Sequence, residues 1–379
     1  MERRVLALDE TALRRRTSIK WRLHDPDVLP LWIAEMDVAP APAVADELAR
    51  IARDGDLGYP VTGPYTEAVA ALYAEWGAPV EISLARPVAD VMAGVRAGLA
   101  ALTGQDDPVY ITVPVYPPFH GAVHEIGRRL VPVPLGPTGR LDADALDLAF
   151  AEHGRGALLL SNPHNPTGTV PTRTELTQVA VAAARHGVRI VSDEIHAPLV
   201  LPGASFTPLL SLPEAQSGLA VFSPAKGWNL AAAKSAVLLG GSQAADAVRA
   251  LPPGLEFTTS HLGVRLHTAA LLGGRDWLAD LVADLDANRT LLAQLLAQHL
   301  PEVSWQPVEA TYLAWLDCRR LGLGEDPSAH FRDVARVALT PGSPFGAGAG
   351  FARLNFATSP AILTEAIERM AASLPARRE

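Results

Sequence analysis

Short apolar runs alternate with helix-like patterns between about residue 88 and residue 240. Most of these runs are continuous rather than alternating, which is typical of strands buried on both faces of a parallel sheet. Helical patterns separate them, as crossover connections require. The order predicts an α/β domain with strands at 109–113, 130–133, 157–160, 188–191, 219–222 and 236–239.

One helix between these strands is marked at both ends. Thr172 and Glu175 have the spacing of a capping box, and a body rich in Ala and Val follows them. Gly187 stands where a glycine commonly follows the end of a helix. We therefore predict a helix between Thr172 and Gly187.

The pattern changes after residue 275. A long amphipathic stretch at 276–300 stops at Pro301, and strand-like runs follow at 312–316 and 352–356. The prolines at 40 and 42 mark the point where an N-terminal arm enters the large domain. We predict a large domain over residues 43–275 and a smaller domain built from 1–42 and 276–379, which agrees with a length of 379 residues.

Composition narrows the classes of partner. Hydrophobic residues make up 49% of the chain and charged residues 19%, enough apolar surface for a compact fold. The net charge of −9 has the wrong sign for a phosphate-backbone binder or a polybasic membrane anchor, so we expect no nucleic-acid or membrane partner. The single cysteine, Cys318, excludes an intrachain disulfide and fits a reducing compartment. With no apolar stretch typical of a signal peptide, we expect a cytoplasmic protein.

Polar side chains follow three of the predicted strands at the point where each strand ends. Asn165 comes after the strand at 157–160, Asp193 after 188–191 and Lys226 after 219–222. Because ligands of open parallel sheets bind beyond the carboxyl ends of the strands, these side chains are expected to converge on one crevice.

This trio suits pyridoxal phosphate. A lysine at an apolar floor loses its proton easily and forms a Schiff base with a carbonyl, which pyridoxal phosphate offers. The ring withdraws electrons only while its nitrogen is protonated, a state that a buried carboxylate such as Asp193 favours. Asn165 and His196 are available as neutral partners of the ring's phenolate oxygen.

The cofactor phosphate needs separate anchors. Backbone N–H groups ahead of the helical pattern that runs through Leu102 are expected to face an anion. Ser223 adds a hydroxyl, Lys234 adds positive charge, and Tyr116 is placed to stack on the ring. The candidate phosphate-facing residues of the chain segment before that pattern are Gly94, Val95 and Arg96.

The same motifs carry a resemblance. Asn165 to Gly168 in Asn-Pro-x-Gly, Asp193, Ser223-x-x-Lys226 and Arg353 resemble the fold-type I pyridoxal-phosphate enzymes of the class I/II aminotransferase superfamily. Longer strings, at Lys20 and Trp21 and at residues 29–37, 162–165 and 193–197, are similar to its cystathionine β-lyase branch, the C–S lyases of the MalY/PatB type. The resemblance implies a large domain with a mainly parallel sheet flanked by helices, plus a smaller α+β domain.

The resemblance also implies roles for single residues. Lys226 becomes the catalytic lysine that holds the cofactor, Asp193 the partner of the pyridine nitrogen, and Arg353 the clamp for the substrate carboxylate. Asp37 joins Arg353 as a substrate-binding candidate. Family dimers donate a tyrosine to the phosphate across the interface, and Tyr59 matches that position, so a homodimer with shared active sites is expected.

The implied function is a cytoplasmic C–S β-lyase that acts on cystathionine or a related cysteine S-conjugate and releases a thiol, pyruvate and ammonia. An aminotransferase uses the same residues, and a non-catalytic regulatory protein can keep the same fold, so both alternatives stay open. Ser223-x-x-Lys226 also matches the nucleophile motif of penicillin-recognising enzymes, but the Lys-Thr-Gly and Ser-Asp-Asn strings that accompany it are absent from the sequence. Three histidines show no metal-type spacing, so no metal is expected: His164, His186 and His196.

Overall fold

The computed structural model describes residues 4–374, and its helices and strands are numbered in chain order. The helices are α1 (Glu10–Leu13), α2 (Ile19–Arg22), α3 (Pro42–Asp54), α4 (Gly63–Glu75), α5 (Val91–Leu102), α6 (Pro118–Glu125), α7 (Ala143–His153), α8 (Arg173–Arg185), α9 (Ala245–Arg249), α10 (His261–Gly273), α11 (Arg275–His299), α12 (Pro327–Asp333) and α13 (Pro360–Ala372). The strands are β1 (Leu29–Pro30), β2 (Ala85–Val88), β3 (Pro108–Val113), β4 (Arg129–Pro134), β5 (Gly156–Ser161), β6 (Val188–Asp193), β7 (Leu219–Phe222), β8 (Ala236–Gly240), β9 (Leu313–Asp317), β10 (Val337–Ala338), β11 (Thr340–Pro341) and β12 (Phe351–Asn355).

Seven strands form the central sheet in the order β2-β8-β7-β6-β5-β3-β4. Both neighbours of β8 run antiparallel to it, and the pairs from β7 to β4 are parallel. This arrangement confirms the α/β class and the six predicted strands. The sequence pattern missed β2, an edge strand of four residues that contains Arg86 and Pro87, because charge and proline both interrupt the apolar run typical of a buried strand.

Both faces of this sheet are covered. Successive residues of β5 alternate between two apolar clusters, with Leu158 and Leu160 in one and Ala157 and Leu159 in the other. Each face is therefore buried, which explains why the strand sequences are continuously apolar.

The predicted helix ends are confirmed at α8. The Thr172 hydroxyl accepts a hydrogen bond from the Glu175 amide at 3.2 Å, and the Glu175 carboxylate accepts one from the Thr172 amide at 2.7 Å. Gly187 follows with a φ of +69°, a left-handed conformation that favours glycine. The long stretch after residue 275 is α11, with Leu281, Leu285 and Leu292 buried along one side.

A second, smaller sheet joins β11, β12 and β9 in antiparallel pairs, and β1 pairs with β10. Its core includes residues from the N-terminal arm, with Leu13, Trp21 and Leu29 in one cluster with Leu285 and Phe331. The division of the chain at residues 42 and 275 into two domains stays a prediction. Within residues 4–374, no helix combines the length and the apolar character needed to cross a membrane.

Candidate active site

A cavity of about 370 Å³ lies beyond the carboxyl ends of β5, β6 and β7. The structure brings eight of the sequence-predicted site residues to its walls: Tyr116, Asn165, Asp193, His196, Ser223, Lys226, Lys234 and Arg353. Most of them follow a strand directly, so the parallel order of the sheet is what gathers them.

Lys226 lies in the turn that follows β7. Its Nζ donates a hydrogen bond of 2.7 Å to the carbonyl oxygen of Ala34 in the N-terminal arm. Burial, assisted by the positive charge of Arg353, lowers the pKa of Lys226 to about 8. A larger fraction of this amine is therefore neutral and nucleophilic near neutral pH than for an exposed lysine. The chain holds only three lysines against 29 arginines.

Asp193 ends β6 and points its carboxylate into the cavity wall. Its Oδ1 accepts a hydrogen bond of 3.1 Å from the amide of Ile195. Burial raises the pKa of Asp193 to about 7, because the charged form loses its hydration. A cation next to such a carboxylate stabilises its charged form. Asp193 therefore suits a partner that carries a protonated nitrogen.

Arg353 reaches the cavity from β12 of the smaller sheet. Its Nη1 donates to Asn165 Oδ1 at 3.0 Å, and its guanidinium lies over the Phe345 ring at 5.1 Å. Burial lowers the pKa of Arg353 to about 10, which leaves the group cationic at neutral pH. Within residues 4–374, the buried Arg353 Nε has no hydrogen-bond partner.

His196, like Arg353, has a buried nitrogen without a hydrogen-bond partner in the part of the chain that the structure describes. Its Nδ1 is buried and has no partner among the described residues. Burial lowers the pKa of His196 to about 3, so the ring is neutral. Unpaired buried polar atoms are rare in folded proteins, and His196 and Arg353 both line the same cavity, so a polar ligand there has donors to meet.

The part of the cavity beside α5 suits an anion. Helix α5 begins there with Val91 and Met92, and its N-cap Asp90 accepts a hydrogen bond of 2.8 Å from the Ala93 amide. Lys234 Nζ donates to Asp90 Oδ2 at 3.1 Å, and Ser223 lines the same region. A helix N-terminus, a hydroxyl and an ammonium group together favour a phosphate.

The sequence placed this helix start too late. Gly94 and Val95 lie inside α5 rather than before it, and Gly94 packs so closely on Val221 that a Cβ would lie 2.6 Å from that side chain. Arg96 pairs with Glu125 at 3.3 Å. None of the three lines the cavity. Asp90, an N-cap residue ahead of an apolar run, is the signal that locates the start correctly.

Two further predicted residues lie outside the cavity. Asp37 is buried, forms an ion pair with Lys20 at 2.8 Å and accepts from Trp21 Nε1 at 2.9 Å, so its position does not support substrate binding. Tyr59 is 86% exposed in the loop before α4 and contributes nothing to the cavity of its own chain.

Sequence reasoning also missed one wall of the cavity. Ile33 and Ala34 belong to residues 32–36 of the N-terminal arm, a segment that we name the strap, and both line the cavity. Tyr312 stands behind Ala34 and donates a hydrogen bond of 3.0 Å to its carbonyl oxygen. Backbone contacts of this kind cannot be predicted from side-chain patterns, and residues 29–37 carry only the family resemblance.

The fold and this cavity define a class of protein, and comparison with known proteins agrees. The sequence profile of the family "Aminotransferase class I and II" matches residues 26–370, so the chain belongs to that family.

Particular relatives are more specific. The chain is 47% identical to a protein of Mycobacterium tuberculosis named "Putative cystathionine beta-lyase", with 96% of each chain covered. It is 31% identical to the cystathionine beta-lyase of Corynebacterium glutamicum, over 96% of this chain and 98% of the relative. A crystal structure from Corynebacterium diphtheriae, titled as a "putative plp-dependent beta-cystathionase", superposes with a TM-score of 0.91 at 33% identity and covers 97% of this chain and 98% of that one. These matches confirm the C–S lyase branch.

The cofactor is pyridoxal 5'-phosphate, and the residues present fit it. Buried Lys226, buried Asp193, the unpaired Nδ1 of His196 and a helix N-terminus with a nearby ammonium group would suit its aldehyde, ring nitrogen, ring substituents and phosphate. The donors needed by each part of the cofactor thus meet in one cavity.

Proposed function

We propose that this chain is a pyridoxal-phosphate-dependent C–S β-lyase that eliminates a thiol from cystathionine or a related cysteine S-conjugate. The observation that carries the proposal is the meeting of Lys226, Asp193 and Arg353 in one buried cavity. The full-length relatives named cystathionine beta-lyase support elimination over amino transfer.

Different residues of the chain would hold different parts of the cofactor. Asp193 would hold the ring nitrogen in its protonated form, and His196 and Asn165 would hold the ring substituents. Ser223 and Lys234, with the first amides of α5, would hold the phosphate. When bound, pyridoxal phosphate supplies an electron-withdrawing ring that stabilises negative charge on the α-carbon of the substrate.

Two residues act on the substrate. Arg353 binds the α-carboxylate through its planar guanidinium and fixes the substrate's orientation. Lys226 removes the α-proton, because its amine is neutral in a useful fraction near neutral pH. Once negative charge develops at the α-carbon, the C–S bond at the neighbouring carbon breaks and the thiolate leaves.

The decisive experiment mixes the cofactor-loaded protein with cystathionine and no keto acid. We expect pyruvate and free thiol to form in equal amounts over many turnovers, because elimination regenerates the enzyme without an amino acceptor. Conversion that stops after one equivalent and resumes only when a keto acid is added would identify an aminotransferase. Absence of any turnover with a loaded cofactor would instead favour a regulatory protein.

We also propose that the chain works as a homodimer in which Tyr59 completes the partner's phosphate site. The loop before α4 exposes three apolar side chains in a row of alternate positions, with Leu57 71%, Tyr59 86% and Val61 74% exposed. Apolar side chains exposed together are typical of a protein interface. A role in a second copy of the chain agrees with the absence of Tyr59 from the lining of its own cavity.

Hybrid dimers test this sharing. Lys226→Ala and Tyr59→Ala chains with different tags are co-expressed, and dimers that contain one of each are purified. If Tyr59 acts across the interface, one of the two sites in each hybrid is intact, and the activity per dimer is about half that of the wild type. A hybrid no more active than the mean of its two parent variants would rule the arrangement out.

A further inference from the structure

The strap is held by its backbone oxygens. Each of its five consecutive carbonyl groups accepts a hydrogen bond from a side chain elsewhere in the molecule. The donors are Thr340 and Arg353 to Trp32, Asn355 to Ile33, Lys226 and Tyr312 to Ala34, Lys20 and Asn355 to Glu35, and Asn229 and Arg16 to Met36. This segment has no regular secondary structure, so these bonds determine its path.

The carbonyl oxygen of Ala34 is the point where this framework touches the chemistry. It accepts Lys226 Nζ at 2.7 Å and Tyr312 Oη at 3.0 Å. Asn355 holds the carbonyl groups on either side of it at 2.7 Å each. Tyr312 and Asn355 therefore fix the position of this oxygen independently of Lys226.

We propose that the Ala34 carbonyl orients the Lys226 amine during proton abstraction and that Tyr312 is the positioning residue that fixes this carbonyl. The inference rests on the proposed function, since it assigns Lys226 the role of base. As a base, Lys226 would act through a free amine. A neutral amine has two N–H groups and one lone pair, and one N–H donated to Ala34 leaves the lone pair for the substrate.

The proton balance of this step is simple. The α C–H bond breaks, its electron pair stays on the substrate carbon, and the proton forms a third N–H bond on Lys226. The resulting ammonium group keeps its hydrogen bond to Ala34, which becomes charge-assisted and therefore stronger. Before proton transfer the carbonyl orients the neutral amine of Lys226. After the transfer it stabilises the positive charge of the ammonium group.

Tyr312 is suited to hold this carbonyl under all working conditions. Its side chain is fully buried, and burial raises its pKa, so the phenol stays a neutral donor. Its ring packs edge-on against His196 with centroids 6.4 Å apart. Tyr312 does not line the cavity, so it acts through Ala34 rather than on the substrate.

The test compares Tyr312→Phe with Tyr110→Phe. Tyr110 is also buried and also donates to a backbone carbonyl, that of Gly154 at 2.6 Å, but it lies outside the cavity lining. We expect Tyr312→Phe to lower kcat about tenfold with KM within about twofold, because the lost hydrogen bond acts on the proton-transfer step. The kinetic isotope effect of α-deuterated substrate on kcat should rise. Tyr110→Phe should change none of these.

A second readout needs no turnover. With three lysines in the chain, ¹³C-lysine labelling gives a spectrum in which Lys226 is readily assigned in the protein without cofactor. We expect the Lys226 side chain to become more mobile in Tyr312→Phe and to stay unchanged in Tyr110→Phe. If Tyr312→Phe does not fold, Asn355→Ser replaces it, because this change loosens the carbonyl groups of Ile33 and Glu35 on either side of Ala34.

The outcomes separate the two proposals. Unchanged Lys226 mobility and an unchanged isotope effect in folded Tyr312→Phe would overturn the positioning role. If Lys226 becomes more mobile in Tyr312→Phe but the wild-type protein does not eliminate thiol, the positioning role of Tyr312 stands. The β-lyase proposal is then refuted.

Discussion

Replacing Lys226 by alanine should lower kcat for thiol elimination by at least about 10³-fold, because the variant lacks both the amine that holds the cofactor and the base that removes the α-proton. Cofactor will still enter the cavity through its phosphate and ring contacts. The measurement is pyruvate release at saturating cystathionine, together with borohydride reduction of the loaded protein and mass analysis of the lysine peptides.

Lys234→Arg is the matched control for the covalent readout. It changes the other cavity lysine, which pairs with the N-cap Asp90, but leaves Lys226 in place. Borohydride should attach the cofactor to the Lys226 peptide in the wild type and in Lys234→Arg, and to no peptide in Lys226→Ala. Normal turnover in Lys226→Ala, or labelling of a different lysine, would refute the assignment.

Replacing Arg353 by glutamine should lower kcat/KM for amino-acid substrates by about 10²-fold to 10³-fold. Hydrogen bonds to a charged group contribute about 1.5–3 kcal/mol each, and the guanidinium offers two to a carboxylate. Glutamine supplies one neutral donor group and cannot reproduce the fork. Initial rates over a range of cystathionine concentrations measure the loss.

Arg319→Gln provides the comparison. Arg319 also lies over a phenylalanine ring, that of Phe351 at 5.0 Å, but it pairs with Asp317 and does not line the cavity. Its loss should leave kcat/KM within about twofold, as surface ion pairs contribute little. Equal effects of the two substitutions would mean that Arg353 acts through stability of the small sheet rather than through the carboxylate.

The large domain was readily predicted because its signals are local. Continuous apolar runs identified strands β3 to β8, and the residues that follow three of them, including Asp193 and Lys226, form the centre of the cavity. Parallel order alone brings strand ends together, so no knowledge of loops was required. The capping box at Thr172 was equally local.

The positions of other predicted site residues depend on tertiary packing, which a local sequence pattern does not report. Gly94 is a predicted phosphate-facing residue, and the structure shows a packing reason for a glycine there, since α5 packs directly on Val221 of the sheet. Asp37 lies in a string that resembles the family, and its carboxylate is used within the arm by Lys20 and Trp21. The strap contributes the backbone carbonyl of Ala34, which Lys226 contacts. A pattern of side chains cannot predict such a contact between a lysine and a distant backbone group.

The placement of the three lysines has a consequence for a protein that handles aldehydes and keto acids. Exposed primary amines capture such carbonyl compounds indiscriminately, whereas guanidinium groups do not form Schiff bases under the same conditions. Here Lys226 and Lys234 line the cavity, Lys20 is sequestered in a buried ion pair with Asp37, and of the three only Lys234 has an exposed side chain. Most of the positive charge of the protein is therefore carried by groups that do not form Schiff bases with its own cofactor or product.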